Sequence, residues 1–74
     1  MTYYIIMVDG YYLNFDDGDY SLCSVFFPDA IAWWKNLKDI EEFLNDPTCS
    51  ETPLCGTIKS SGVIKKMEIS FTDI

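Results

Sequence analysis

Asp9-Gly10 stands between two runs of β-forming residues, Tyr3 to Val8 and Tyr11 to Phe15, and no other feature narrows the choice of fold as far. A two-residue connection between such runs makes a type I′ turn. Both its central residues need φ > 0, which Gly adopts freely and Asp tolerates. The tight turn also fixes the register. It sets Val8 against Tyr11, Ile6 against Leu13 and Tyr4 against Phe15, six apolar side chains on one face. The other face pairs Met7 with Tyr12, Ile5 with Asn14 and Tyr3 with Asp16. The first face is therefore expected to be core and the second mixed.

Asp16-Asp17-Gly18-Asp19 reads as the next turn, and Tyr20 to Phe27 as a third strand stopped by Pro28. The length of that turn is not fixed by the sequence, so either Leu22, Ser24 and Phe26 or Cys23, Val25 and Phe27 face the core. From Pro28-Asp29 onward, Ala30, Trp33, Trp34, Leu37, Ile40 and Leu44 recur at helical spacing. Asp29 suits an N-cap, and Asn36 with Asp39 three residues on resembles a capping box. The segment is either one helix to about Leu44 or a short turn followed by a helix from Leu37. At helical spacing both Trp33 and Trp34 read as core; if the helix breaks before Asn36, one of them is exposed. Asn45-Asp46-Pro47 ends the helix.

Thr48 to Gly56 reads as loop, with Thr52-Pro53 and Gly56 as breakers. Val63 to Phe71 alternates as a final strand, with Val63, Lys65, Met67, Ile69 and Phe71 on one face. Thr57 to Ser60 is a candidate partner for it through a Ser61-Gly62 turn. The order β-β-β-α-β in 74 residues implies a single α+β domain: an antiparallel sheet of four to five strands with one helix on one face.

Composition then excludes whole classes of function. Hydrophobic residues make up 49% and aromatics 16%, too many for a disordered chain. Twelve acids face five Lys and no Arg, a net charge of −7, which speaks against direct nucleic-acid binding. The apolar runs are too short for a membrane span. The N-terminal residues lack the basic stretch and cleavage site of a signal peptide, so a cytoplasmic location is expected. Cys23, Cys49 and Cys55 are an odd set. They read as a reducing compartment, with a Cys49–Cys55 bridge as the minor alternative.

Catalytic chemistry has few carriers. There is no His to act as general base, no Gly-rich phosphate loop and no nucleophile elbow. No catalytic residues and no cofactor are expected. Three thiols without His fall short of a structural zinc tetrad. Asp16-Asp17-Gly18-Asp19 fails as a calcium loop, because aligning Gly18 puts Leu13 and Phe15 where ligands belong.

Two surfaces remain as candidates for binding. The first is acidic: Asp16, Asp17 and Asp19 in one turn, and Asp39, Glu41 and Glu42 on the helix. Turn chemistry, the helix N-terminus and solvation account for each acid alone. Their sum steers the chain toward a partner with a basic, nucleic-acid-binding groove. The second is aromatic and apolar. One helix covers only one sheet face, which leaves Tyr3, Ile5, Met7 and Tyr12 on the other as a partner or homodimer surface, unless loop 45–56 folds over it.

Tyr3-Tyr4-Ile5-Ile6, Val8-Asp9-Gly10-Tyr11-Tyr12-Leu13, Asn36 to Leu44 and the alternating final strand together resemble small accessory proteins encoded by phages and mobile elements of Firmicutes. The resemblance covers about two-thirds of the chain, and its motifs are a turn, a cap and a core pattern. Asp29 to Trp34 and loop 45–56 depart from it. It implies a small, non-enzymatic, cytoplasmic protein of the infected cell. Anti-CRISPR proteins are one such class; they inhibit a host defence complex by stoichiometric binding, often as acidic occupants of nucleic-acid grooves. The expectation is an inhibitor of this kind, with a homodimeric structural or regulatory module as the alternative.

Overall fold

The computed structural model describes residues 1–68. Four antiparallel strands, β1 (Thr2–Val8), β2 (Tyr11–Asp16), β3 (Asp19–Cys23) and β4 (Gly62–Glu68), form a sheet in the order β3-β2-β1-β4. Helices α1 (Leu37–Asn45) and α2 (Thr52–Ser61) separate β3 from β4.

Both hairpin turns have the same chemistry. Asp9 and Gly10 lie at φ 50° and 84°, and Asp17 and Gly18 at φ 56° and 78°. Two successive left-handed residues are what a two-residue type I′ turn requires. The second turn is therefore short, and Asp16 pairs directly with Asp19. That register sends Tyr20 and Leu22 into the core. The third strand ends at Cys23 rather than running to Phe27.

The first hairpin is zipped only near its turn, at Met7–Tyr12 and Val8–Tyr11. Beyond that the expected Ile6–Leu13, Tyr4–Phe15, Ile5–Asn14 and Tyr3–Asp16 pairs give way, because Ala30 to Trp34 bonds to both strands. Phe15 N–H donates to Ala30 O at 2.8 Å, and Ala32 N–H to Leu13 O at 3.0 Å. Tyr4 and Trp34 exchange both backbone hydrogen bonds, at 2.8 and 2.9 Å. Buried backbone groups must find partners, and this wedge supplies them to both halves of a splayed hairpin.

The wedge also decides between the two helical readings. Residues 31–34 are extended, and α1 begins at Leu37 after Asn36. In extended chain neighbours point to opposite sides. Trp34 packs into the core and Trp33 is 49% exposed. The reading of both as core is thus corrected by backbone geometry. Asn36 holds the N-cap position, but the expected capping box does not form: its Nδ2 donates to Asp39 Oδ2 at 3.1 Å and its side chain makes no bond to the helix backbone. Asp29 caps no helix, because it lies in the turn before the extended segment.

A second helix stands where a loop and a β-partner were expected. Thr52-Pro53 reads as a breaker, yet Pro fits the first helical turn, where its missing N–H has no partner to lose. Gly56 inside α2 costs roughly 1 kcal/mol relative to Ala. Burial of Ile58, with Leu54 one turn earlier, offsets that cost. Residues 57–60 are helical and do not pair with β4. α2 passes into β4 at Gly62, whose N–H donates to Ile58 O. A Cβ on Gly62 would collide with Ile58 O and Leu44 Cδ1, so glycine is needed there for closeness, not for an unusual φ. Ile69 to Phe71 of the expected final strand lie outside the described residues.

The core sits between the sheet and the two helices. Ile6, Val8, Leu13, Ala32, Ile40 and Ile58 form it, with Tyr4, Leu22, Trp34, Phe43, Leu44, Cys49, Leu54 and Ile64 packed around. Tyr11 and Phe15, also expected inside, are each 47% exposed. Loop residue Cys49 packs on this helix side, so residues 45–56 do not fold over the opposite face.

Candidate functional site

The face of the sheet away from the helices is set by alternation and register. Tyr3, Ile5 and Met7 of β1 stand beside Met67, Lys65 and Val63 of β4, and Tyr12 stands beside Met7 on the β2 side. The structure therefore brings together all four apolar residues singled out in the sequence. They are not equally available. Ile5 is 5% exposed and forms the floor, whereas Tyr3, Met7 and Tyr12 are half-buried.

What covers this face is the connection 24–35, a strap that leaves β3, turns at Phe27–Ala30 and returns as the wedge. Two edge-on ring contacts fasten it. Tyr3 meets Trp33 with centroids 4.8 Å apart at 82°, and Tyr12 meets Phe26 at 5.5 Å and 62°. The cover is incomplete. Phe26 is 39% exposed and Phe27 and Trp33 are each 49% exposed. Beside the strap runs a cleft of about 680 Å³, lined by Tyr3, Phe26, Pro28, Ile31, Trp33, Met67 and Glu68. Cavities of roughly 300–1,000 Å³ hold side chains or small ligands.

The acidic residues lie apart on separate elements. Asp16, Asp17 and Asp19 occupy the β2–β3 turn. Asp19 already has partners: its Oδ1 accepts from Ser50 Oγ at 2.7 Å and from Tyr20 N–H at 2.9 Å. Those bonds, the serine's first, hold its carboxyl below the usual carboxylate range. Asp19 thus ties the loop before α2 to the second hairpin. Asp39 sits in the first turn of α1, where the helix dipole favours a carboxylate. Glu41 and Glu42 line a shallow groove with Lys38 and Lys59, so cations dilute their charge.

Cys23, Cys49 and Cys55 are free thiols. Cys55 Sγ–H donates to Cys49 O at 3.7 Å. Burial, and then the neighbouring Cys55, push the Cys49 thiol up to about 12, far from the thiolate character of a reactive cysteine. Among the described residues no three His, Cys, Asp or Glu side chains converge on a metal-sized site, and no helix is long and apolar enough to cross a membrane.

Sequence reasoning missed the strap and two residues tied to it. Ile31 contributes both to the buried side and to the cleft. Asn14, which bridges to Ile31, is 6% exposed with its Oδ1 unpaired. The available signal was the density of rings and the proline in Phe26-Phe27-Pro28, too apolar for an ordinary surface loop. Comparison with protein-family models, with curated proteins and with solved structures gives no match.

Proposed function

We propose that this chain is a non-enzymatic binding protein, an anti-CRISPR-like inhibitor that occupies the basic groove of a host nucleic-acid-processing complex in the bacterial cytoplasm. The half-exposed aromatic cleft on a surface of net charge −7 carries this reading. Exposed contiguous apolar surface marks an interaction site, and the charge selects a basic partner and speeds encounter with it. Asp16, Asp17, Glu41 and Glu42 supply free carboxylates, whereas Asp19 contributes chiefly to the fold.

The test is displacement. The immobilised protein is used to capture partners from a bacterial lysate at low salt, and a captured nuclease or effector subunit is then loaded with its own nucleic acid. Added protein should release that nucleic acid at one-to-one stoichiometry. Charge reversal at Asp16, Asp17, Glu41 and Glu42 should abolish the release. Capture without displacement, or displacement unchanged by the reversal, refutes the groove-blocking role.

A second reading is a homodimer closed across the aromatic face. The observation favouring it is Val63, 52% exposed on edge strand β4 beside Met7. A two-fold axis there would bury Tyr3, Met7 and Tyr12 of each copy. Sedimentation showing only monomer at high micromolar concentration removes it.

A further inference from the structure

We propose that Cys49 and Cys55 form a reversible oxidation site, closing to one intramolecular disulfide by exchange with a low-molecular-weight disulfide of the glutathione class.

Three observations converge. The first is contact. The Cys55 thiol donates to Cys49 O at 3.7 Å, and the two thiols are themselves hydrogen-bond partners. An S–S bond is about 2 Å long, so closing it draws on side-chain torsions. The second is that each sulfur is held from its own side. Cys49 packs on the core, and the next residue, Ser50, bonds Asp19 Oδ1 at 2.7 Å. Cys55 N–H donates to Glu51 O at 3.2 Å at the start of α2. Thiols held together in this way meet at a high effective concentration. The third is the isolation of Cys23. It stands opposite Tyr12, on the sheet face under the strap, whereas Cys49 packs with the helices on the other face. The sheet therefore separates the odd thiol from the pair.

The order of attack follows from the same contacts. Burial, and then the hydrogen bond with Cys55, hold the proton on Cys49. Cys55, as its thiolate, therefore attacks one sulfur of the small disulfide. That S–S bond breaks, and one small thiolate leaves and takes up a proton. The mixed disulfide on Cys55 can no longer hydrogen-bond as a thiol, so part of the hold on the Cys49 proton is lost. Cys49 gives that proton to water and attacks the Cys55 sulfur, expelling the second small thiol. Two protein thiols are oxidised and one disulfide is reduced to two thiols. The closed bridge spans Ser50, so it fastens the segment that holds Asp19.

The test treats the full chain carrying Cys23→Ser with about 1 mM oxidised glutathione at about pH 8. Its mass should fall by two hydrogens. Cleavage after glutamate cuts at Glu51, between the two cysteines, and should leave fragments 43–51 and 52–68 joined until a thiol reductant is added. The oxidised protein should melt about 5–10 °C above the reduced one. Cys49→Ser should stop at the mixed disulfide on Cys55, and Cys55→Ser should take up glutathione at least about fivefold more slowly. Circular dichroism confirms that each variant is folded; if one is not, the masses and fragments of the Cys23→Ser chain decide alone. A glutathione adduct that persists in place of the bridge overturns the proposal, as do disulfide-linked dimers or no reaction. An oxidised protein that melts no higher than the reduced one overturns it as well, because a fold that holds the thiols ready to bond is stabilised by the bond. Equal rates in Cys49→Ser and Cys55→Ser overturn the assignment of Cys55 as the attacking thiol.

Discussion

The helix-covered face of the sheet and the strap-covered face are both rich in aromatic and aliphatic side chains, but they are closed by different means. Under α1 and α2 the rings form a continuous chain. Phe15 contacts Tyr20 at 4.7 Å, Tyr20 contacts Phe43 at 5.0 Å, and Phe43 contacts Trp34 at 5.0 Å. Ile6, Leu13, Ile40 and Ile58 beneath them are fully buried. Under the strap the rings meet only in pairs, and Phe26 and Trp33 keep much of their surface in water. A helix shields a broad stripe of sheet, whereas one extended segment is a single chain wide. One face therefore holds the fold together, and the other keeps aromatic surface exposed.

The contrast is sharpest between adjacent isoleucines. Ile6→Ala, on the helix side, should destabilise by about 3–5 kcal/mol, and Ile5→Ala, on the strap side, by about 2 kcal/mol, because a thinner cover relaxes into the cavity more readily. Urea unfolding of the two variants reads the difference; equal losses would mean that the strap packs as tightly as the helices. The tryptophan doublet gives the next largest effect. Trp34→Ala should cost about 2–3 kcal/mol and Trp33→Ala about 1 kcal/mol or less, while Trp33→Ala impairs partner binding more than Trp34→Leu does.

Gly62→Ala tests the helix side alone. The added methyl meets Ile58 O and Leu44 Cδ1, and overpacking of this kind costs about 1–3 kcal/mol. It should lower the melting temperature without moving the Trp33 indole signal. The smallest effects are titrations. Cys49 keeps its proton to about 12 in the fold against 9.0 ordinarily, so the unfolded chain binds fewer protons between those values. Stability should fall as pH rises from about 9 toward 12, and the fall should shrink in Cys49→Ala. Iodoacetamide at pH 8 should modify Cys49 more slowly than Cys23. Asp19 has the opposite sign. Its carboxyl lies below 3.8 in the fold, so its contribution is present above that value and is lost as pH falls through the folded-state pKa. Acid unfolding should therefore begin at lower pH in wild type than in Ser50→Ala, and coincident acid transitions would mean that the bond contributes nothing.

Local chemistry made several parts of the fold legible from the chain alone. Asp9-Gly10 set the first turn and the Val8–Tyr11 pairing, Ile40 and Leu44 marked a helix, and the alternation of β1 identified which of its faces would be core. The same alternation placed Tyr3, Ile5, Met7 and Tyr12 on one side. The remaining features depend on contacts between distant residues. Thr52-Pro53 reads equally as a breaker or as a first helical turn, and Gly56 is a poor helix residue by propensity; the burial of Ile58 in the core decides for the helix. Ala30, Trp33 and Trp34 fit a helical period as well as an extended one, and the choice fell to the unpaired backbone of β1 and β2.

Turn type, register near the turn, strand alternation and net charge are set by residues next to one another, so the sequence by itself determined them. The splaying of the hairpin, the division of Trp33 from Trp34 and the aromatic cleft were decided only in the tertiary structure. Splaying breaks strand-to-strand hydrogen bonds, and those groups are satisfied again when the segment Ala30 to Trp34, distant in sequence from both strands, folds back between them.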